Sequence, residues 1–271
     1  MPVLRGSHEV TSVHPRLAVN SLSTATWSLE QDLELYTTLG VGSVALYFDK
    51  LAASGSEQAT KLVRDAGLRT VHVFTRGFTL HDPSTWPEDQ ARLGRALDVA
   101  VELGAPWFGI TAGAAVGLSW DEAADALARA LEPLRRDEIG ITVEQTLPIR
   151  PEIGFVHSLR DSFDLAARLD LGVTMECNYC FAERDLASTV AADVHRLATV
   201  QISDLVVPST MIPDRAVPGD GVVPLRDVLS TVLAAGYEGP VEIEQLGPRI
   251  EAEGYEAALR RAIAAAGELF T

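Results

Sequence analysis

The sequence predicts an α/β fold, a single (β/α)8 barrel over residues 1–271. Three observations carry that expectation. Short β-rich runs alternate with helical stretches along the whole chain, and such alternation makes parallel βαβ units. Eight units fit into 271 residues, the size of one closed barrel. Several runs follow a helix closed by glycine, at Gly40, Gly67, Gly104 and Gly236, where a left-handed cap releases the chain into the next strand. An open doubly wound sheet is the structural alternative. No G-x-G-x-x-G follows the first strand and no P-loop occurs, so the nucleotide role of such a sheet lacks support.

In order, the strands are "RLAVNS" from Arg16, "SVALYF" from Ser43, "RTVHVF" from Arg69, "WFGIT" from Trp107, "GITVEQ" from Gly140, "GVTMEC" from Gly172, "TVQISD" from Thr199 and "VEIEQ" from Val241. Periodic segments such as "EDQARLGRALDVAVELG" and "DEAADALARALEPLRR" supply helices between them. After the seventh strand the sequence reads as a long loop ending in the glycine turn "PGDG". There are no Pro/Gly/Ser-rich linkers and no low-complexity tracts.

Fully buried parallel strands usually read as continuous apolar runs. The last four depart from this. Thr142 and Glu144 flank Val143, Thr174 and Glu176 flank Met175, Gln201 and Ser203 flank Ile202, and Glu242 and Glu244 flank Ile243. Side chains alternate across a strand. The apolar faces must meet the helices, which turns the polar faces into the barrel and puts an oxygen ligand near each C-terminal end, where barrel active sites form. Three converging carboxylates repel one another, and a buried unpaired ion costs several kcal/mol. Either protons or a cation must relieve them. Glu144, Glu176 and Glu244 with the Gln201 amide oxygen make an all-oxygen donor set that suits Mg²⁺ or Mn²⁺. The plainer alternative has these glutamates bonded to arginines such as Arg215 or Arg150.

Composition narrows the partners. The net charge of −16 opposes a nucleic-acid backbone or an acidic membrane surface, and no Lys/Arg cluster overrides it. The two cysteines, Cys177 and Cys180, are too few and too close for a disulfide framework, which fits a reducing compartment. With no apolar leader in "MPVLRGSHEV" and no run of 18 apolar residues, a cytoplasmic protein acting on a small molecule is expected; a homo-oligomer stays open.

The segments "ITVEQ", "GVTMEC", "VQISD" followed by "RAVPGDGVVPL", and "GYEGPVEIEQLG" resemble the sugar phosphate isomerase/epimerase family, the xylose isomerase-like TIM barrels. The likeness covers nearly the whole chain. That family usually carries Glu, Asp, His and Glu on these four strand ends around one divalent metal; the matching positions here are Glu144, Glu176, Gln201 and Glu244. Glutamate for aspartate lengthens an arm. Glutamine for histidine exchanges an imidazole nitrogen for a weaker amide oxygen, which leaves a metal-free variant open. The resemblance implies proton movement beside the carbonyl of a sugar, a polyol-derived ketone or a related cyclic keto compound. A metal, Mn²⁺ or Mg²⁺, polarises the carbonyl while carboxylates shuttle the proton. It implies that Glu144 and Glu244 are metal ligands and proton-transfer groups, and that Arg215 faces substrate.

Other residues join the candidate set. His157, after the fifth strand at the start of a helix, overlooks the mouth as a further catalytic candidate, with an ordinary surface histidine as the alternative. His72 alternates with Val71 and Val73 and points inward, to bind substrate or to fill the barrel. Arg215 is placed to grip an anionic or hydroxyl group, or to neutralise the acidic site. Trp27, Phe48, Phe74, Phe78, Trp120, Tyr179 and Phe181 either line a pocket for a partly apolar substrate or pack the loops. The lone C-x-x-C lacks the second pair of a zinc site. Competing functions are a lyase or dehydratase on the same scaffold, and a binding protein without metal. An endonuclease of the same superfamily is opposed by only 6 histidines and the acidic charge.

Overall fold

The computed structural model describes residues 13–209 and 212–271. The N-terminal stretch, His8 included, lies outside the described residues. Eight parallel strands close into a barrel: β1 (Leu17–Asn20), β2 (Ser43–Tyr47), β3 (Arg69–Thr75), β4 (Trp107–Thr111), β5 (Gly140–Glu144), β6 (Gly172–Glu176), β7 (Leu197–Ile202) and β10 (Val241–Ile243). The order around the barrel is β1-β10-β7-β6-β5-β4-β3-β2. A two-stranded antiparallel ribbon, β8 (Asp204–Leu205) with β9 (Arg215–Ala216), stands outside it. The predicted (β/α)8 barrel is therefore the observed fold.

Helices follow each barrel strand and cover it. Outward-facing Val19, Val44, Val73, Ile110, Val143, Met175, Val200 and Ile243 belong to one continuous apolar core with the helix faces. Serine caps begin two of the covering helices: Ser28 with Gln31 ahead of Leu29–Thr38, and Ser119 with Glu122 ahead of Trp120–Leu131, each a reciprocal capping box. Gly67 and Gly104 close helices at φ 68° and 67°, as their sequence positions require. Among the described residues no helix is long and apolar enough to cross a membrane.

Two strand ends differ from the sequence reading. The seventh strand begins at Leu197, earlier than "TVQISD", and ends at Ile202. Asp204 leaves the barrel because it pairs with Ala216 in the ribbon. The eighth strand stops at Ile243, so Glu244 sits just beyond it, although its N–H still donates to Ile202 O at 3.1 Å. Among the described residues, what reads as one long loop after "TVQISD" is strapped back onto the barrel. The Asp204 carboxylate accepts backbone N–H bonds from Leu205, Gly219 and Val223 at 2.8–2.9 Å. A Cβ on Gly221 would fall 2.3 Å from Asp204 Oδ1, so the turn closes only around glycine. The strap returns Arg215 to the barrel mouth, where its N–H donates to Leu246 O at 3.0 Å.

Candidate active site at the carboxylate-lined mouth

Register places the polar residues on one face. Glu176 pairs with Gln201, Gln201 with Glu242, and Glu242 with Ala18. Register partners in a sheet share a face, so these side chains all enter the lumen. Glu144 ends β5, opposite Thr174 of β6.

Direct contacts join Glu176, Gln201, Arg215 and Glu244. Arg215 Nη1 lies 2.7 Å from Glu244 Oε1 and 2.7 Å from Glu176 Oε2. The first contact is an aligned hydrogen bond; the second is an ion pair without that alignment, which leaves Glu176 Oε2 short of a hydrogen-bond donor. Nη1 also donates to Glu244 O at 2.8 Å, and Nη2 donates to the Tyr179 hydroxyl at 2.9 Å. Gln201 Nε2 donates to Glu244 Oε2 at 2.8 Å and to Glu242 Oε2 at 3.2 Å. Asn20 Nδ2 donates to the same two oxygens at 2.7 and 3.3 Å. Glu176 Oε1 accepts the Asn178 N–H at 2.9 Å, capping the short turn Cys177–Cys180.

Charge is crowded here. Burial first, then Glu244 and Glu176, push the Glu144 carboxyl well above the ordinary range. Burial pushes Glu176 up to about 8 even though Arg215 pulls the other way. Burial raises Glu244 as well, against the opposing pull of Arg215. One guanidinium does not neutralise three carboxyl groups. Glu144 differs from the others in being partly open to solvent.

A deeper layer supports this one. Burial pushes Glu242 up, but His72 and hydrogen bonds from His72, Thr199 and Gln201 outweigh it and hold the carboxyl below its usual range. Thr199 Oγ1 donates to Glu242 Oε1 at 2.6 Å, and His72 Nδ1 is 3.2 Å from the same oxygen. His72 thus spans the lumen from β3 to β10. Its ring fits because position 109 is glycine: a Cβ there would fall 2.1 Å from His72 Nε2. Thr142 and Thr174 hydroxyls bond at 2.9 Å, with Thr142 3.4 Å from His72 Nε2.

Other expectations fall elsewhere. His157 Nδ1 pairs with Thr146 O at 3.0 Å and takes no part in the hydrogen bonds or ion pairs of the carboxylate cluster. It lines a cavity of about 240 Å³ with Trp120 and Phe155, between the loops after β4 and β5. Arg150 pairs with Glu152, not with a site glutamate. Phe48 and Phe78 are core residues rather than pocket lining, while Trp27, Trp120 and Phe181 pack partly buried against that core. Cys177 and Cys180 are buried free thiols. Sequence reasoning missed Asn20 and the part taken by Glu242. Both carried the signal used for the others: a polar residue on the lumen face near a strand's C-terminal end.

The four expected ligand positions do not form an open cradle, because the Arg215 guanidinium stands between Glu176 and Glu244. As these side chains stand, no three His, Cys, Asp or Glu among the described residues are gathered to hold a metal ion. The donor set itself suits a hard divalent cation. It is all oxygen, it carries more negative charge than Arg215 balances, and Gln201 Oε1 and Glu176 Oε2 are buried without hydrogen-bond donors. Seating such a cation requires Arg215 to release at least one carboxylate.

A closed barrel with an acid-lined mouth defines the class, and comparison with known proteins gives the family. The chain belongs to the xylose isomerase-like TIM-barrel family, whose model matches residues 33–265. No functionally curated protein matches it. Among solved structures it is similar to protein SMc04130 of Sinorhizobium meliloti 1021, at 23% identity and TM-score 0.83 over 94% of this chain and 98% of that one. It is also similar to the IOLI protein solved with a zinc atom, at 17% identity and TM-score 0.79 over 94% and 97%. The 3-keto-D-glucoside 4-epimerase YcjR from E. coli is similar at 16% identity and TM-score 0.72 over 90% and 97%. At these identities the likeness is one of fold.

Proposed function

We propose that this protein is an isomerase or epimerase that moves a proton beside the carbonyl of a small sugar, polyol-derived ketone or cyclic keto compound. The observation that carries the reading is the convergence of Glu144, Glu176 and Glu244, each with a raised proton affinity, at the C-terminal mouth of the barrel. Buried carboxyl groups with a raised proton affinity can hold a proton and hand it on, which is what such a reaction needs. Epimerases among the structural neighbours give the reading company, as does membership of the family.

Each residue has a role in this reading. Glu144, partly open to solvent, exchanges the proton. Glu244, fixed by Asn20, Gln201 and Arg215, is the second proton-transfer group. The two arise from β5 and β10, which β6 and β7 separate, so a substrate carbon between them meets a carboxyl on each side. Arg215 and Tyr179 hold the substrate oxygens, His72 steadies the lumen floor, and His157 borders the entrance. Glu144, Glu176, Gln201 and Glu244 are the residues that would hold Mn²⁺ or Mg²⁺. When bound, the metal would supply Lewis-acid polarisation of the carbonyl.

The test is incubation of the protein with a panel of ketoses, inososes and keto-glycosides in deuterium oxide, with and without Mn²⁺. Deuterium should enter at the carbon next to the carbonyl, with inversion or carbonyl migration. Loss of a β-leaving group would move the assignment to a lyase. Absence of exchange across the panel would overturn it.

A further inference from the structure

We propose that Glu242 is a positioning residue for the cation site: it clamps the Gln201 amide so that Gln201 Oε1 faces the site as a ligand. This rests on the metal-assisted reading above.

Two amides at the site do the same thing. Gln201 and Asn20 each place one NH₂ between Glu242 Oε2 and Glu244 Oε2, at 2.7–2.8 Å from Glu244 and 3.2–3.3 Å from Glu242. An amide NH₂ has two donors, and both are spent. The reverse orientation would bring each amide oxygen against the Glu242 carboxylate at 3.2–3.3 Å, so that carboxylate fixes the amide nitrogens toward it. Their carbonyl oxygens then differ. Asn20 Oδ1 accepts the Leu22 N–H at 3.0 Å. Gln201 Oε1 accepts nothing, although the residue is fully buried. A buried carbonyl oxygen without a donor is costly, and in native proteins it calls for a specific reason. A cation between Gln201, Glu176 and Glu244 is one.

Glu242 is what makes this orientation unique. With Glu244 alone as acceptor, the Gln201 amide would have one N–H bond and freedom to turn. Glu242 supplies the second acceptor from below, and it is itself held by Thr199 at 2.6 Å and paired with His72 at 3.2 Å. The arrangement also gives a reason for glutamine at this position. An imidazole has no NH₂ with which to bridge two carboxylates while presenting an acceptor to a cation.

The experiment is Mn²⁺ titration calorimetry on the full chain, as wild type, Glu242→Gln, Gln201→Ala and the double variant. Loss of an outer-shell partner costs about 10–100-fold in metal affinity, and that fall is expected for Glu242→Gln. In the Gln201→Ala background the same change should have little further effect, since it acts through Gln201. An equal fall in both backgrounds would reduce Glu242 to a distant charge and overturn the proposal. So would unchanged affinity, including the case where only KM rises and Oε1 serves a substrate hydroxyl. Thr199→Val removes the 2.6 Å bond and keeps the carboxylate, so it should give a smaller fall if Glu242→Gln does not fold. Should the wild type bind no Mn²⁺, the metal reading fails by itself. The positioning role is then decided by NMR of the Gln201 side-chain NH₂. Two slowly exchanging signals in the wild type that shift and broaden in Glu242→Gln or Thr199→Val support the clamp; unchanged signals overturn it.

Discussion

Along β1 to β4 the lumen is lined by Ala18, Asn20, Ala45, His72, Phe74 and Gly109; along β5, β6, β7 and β10 it is lined by Thr142, Glu144, Thr174, Glu176, Thr199, Gln201, Glu242 and Glu244. Both sides use the same alternation, and the outward faces of both belong to one apolar core. On the first side Ala18, Ala45, Val71 and Phe74 form a separate small apolar cluster. The second side carries the charge. Two polar residues of the first side both meet Glu242, Asn20 from the neighbouring strand β1 and His72 from across the lumen. Filling one side with small and aromatic groups lets the other keep four carboxylates, because the few donors available are all aimed the same way. Substitutions on the charged side should then act by height: at the mouth on turnover, at the Thr142–Thr174 pair on stability alone.

The largest effect is expected at the mouth. Glu244→Gln keeps the shape and removes both the proton-transfer group and the partner of Arg215, Asn20 and Gln201. Turnover should fall about 10²–10⁴-fold, the usual cost of losing a positioned acid or base. Circular dichroism should show the barrel intact. Near-normal kinetics would remove Glu244 from the chemistry and break the comparison at its most charged point.

Second comes the pH dependence of stability without added metal. Glu176 binds its proton more tightly in the folded protein, where its pKa is about 8, than in the unfolded chain. A raised carboxyl stabilises the fold fully below its unfolded pKa of about 4.3 and loses that contribution as pH rises toward its folded value. Glu144 and Glu244 are shifted the same way. Glu242, shifted down, is ionised in both states above about pH 5, so it leaves the slope unchanged there. Stability should therefore fall from pH 5 to pH 8, by up to about 1.4 kcal/mol per pH unit for each carboxyl titrating, and the melting temperature with it. Glu176→Gln should flatten part of that slope. A melting temperature that rises across the window would mean the mouth is not overcharged.

The barrel was legible in the sequence because periodicity and glycine caps report local structure, and each strand is specified by its own residues. "WFGIT" matched β4 at both ends. The convergence of Glu176, Gln201 and Glu244 was legible for the same reason, since alternation fixes which face a residue takes. What was not legible depends on contacts between distant segments. Asp204 closes its loop through Gly219 and Val223, so nothing local reveals that Arg215 returns to lie between two glutamates. The arrangement lies between the two sequence readings, a metal cradle or glutamates paired with arginine. Asn20 was overlooked because β1 reads as an ordinary apolar strand, and its partners Glu242 and Glu244 lie more than 220 residues away.

The smallest effect is expected at the floor. Thr142 and Thr174 share one hydroxyl–hydroxyl bond of 2.9 Å, both residues buried. Thr174→Val keeps the shape and removes one partner. A hydrogen bond of this kind contributes about 0.5–1.5 kcal/mol net, and Thr142 keeps only its longer contact to His72 at 3.4 Å. Stability in urea should fall by about 1 kcal/mol, and turnover should be unchanged, because the hydroxyl faces no group that moves a proton or holds substrate. The result discriminates because Thr174 lies on the same strand and the same face as Glu176, two residues nearer the floor. If turnover drops with stability, the polar lining acts as one network from floor to mouth, and His72 carries the floor's disturbance to Glu242. If turnover holds, the chemistry is confined to the residues at and beyond the strand ends, and the threonines beneath them are packing with a hydroxyl attached.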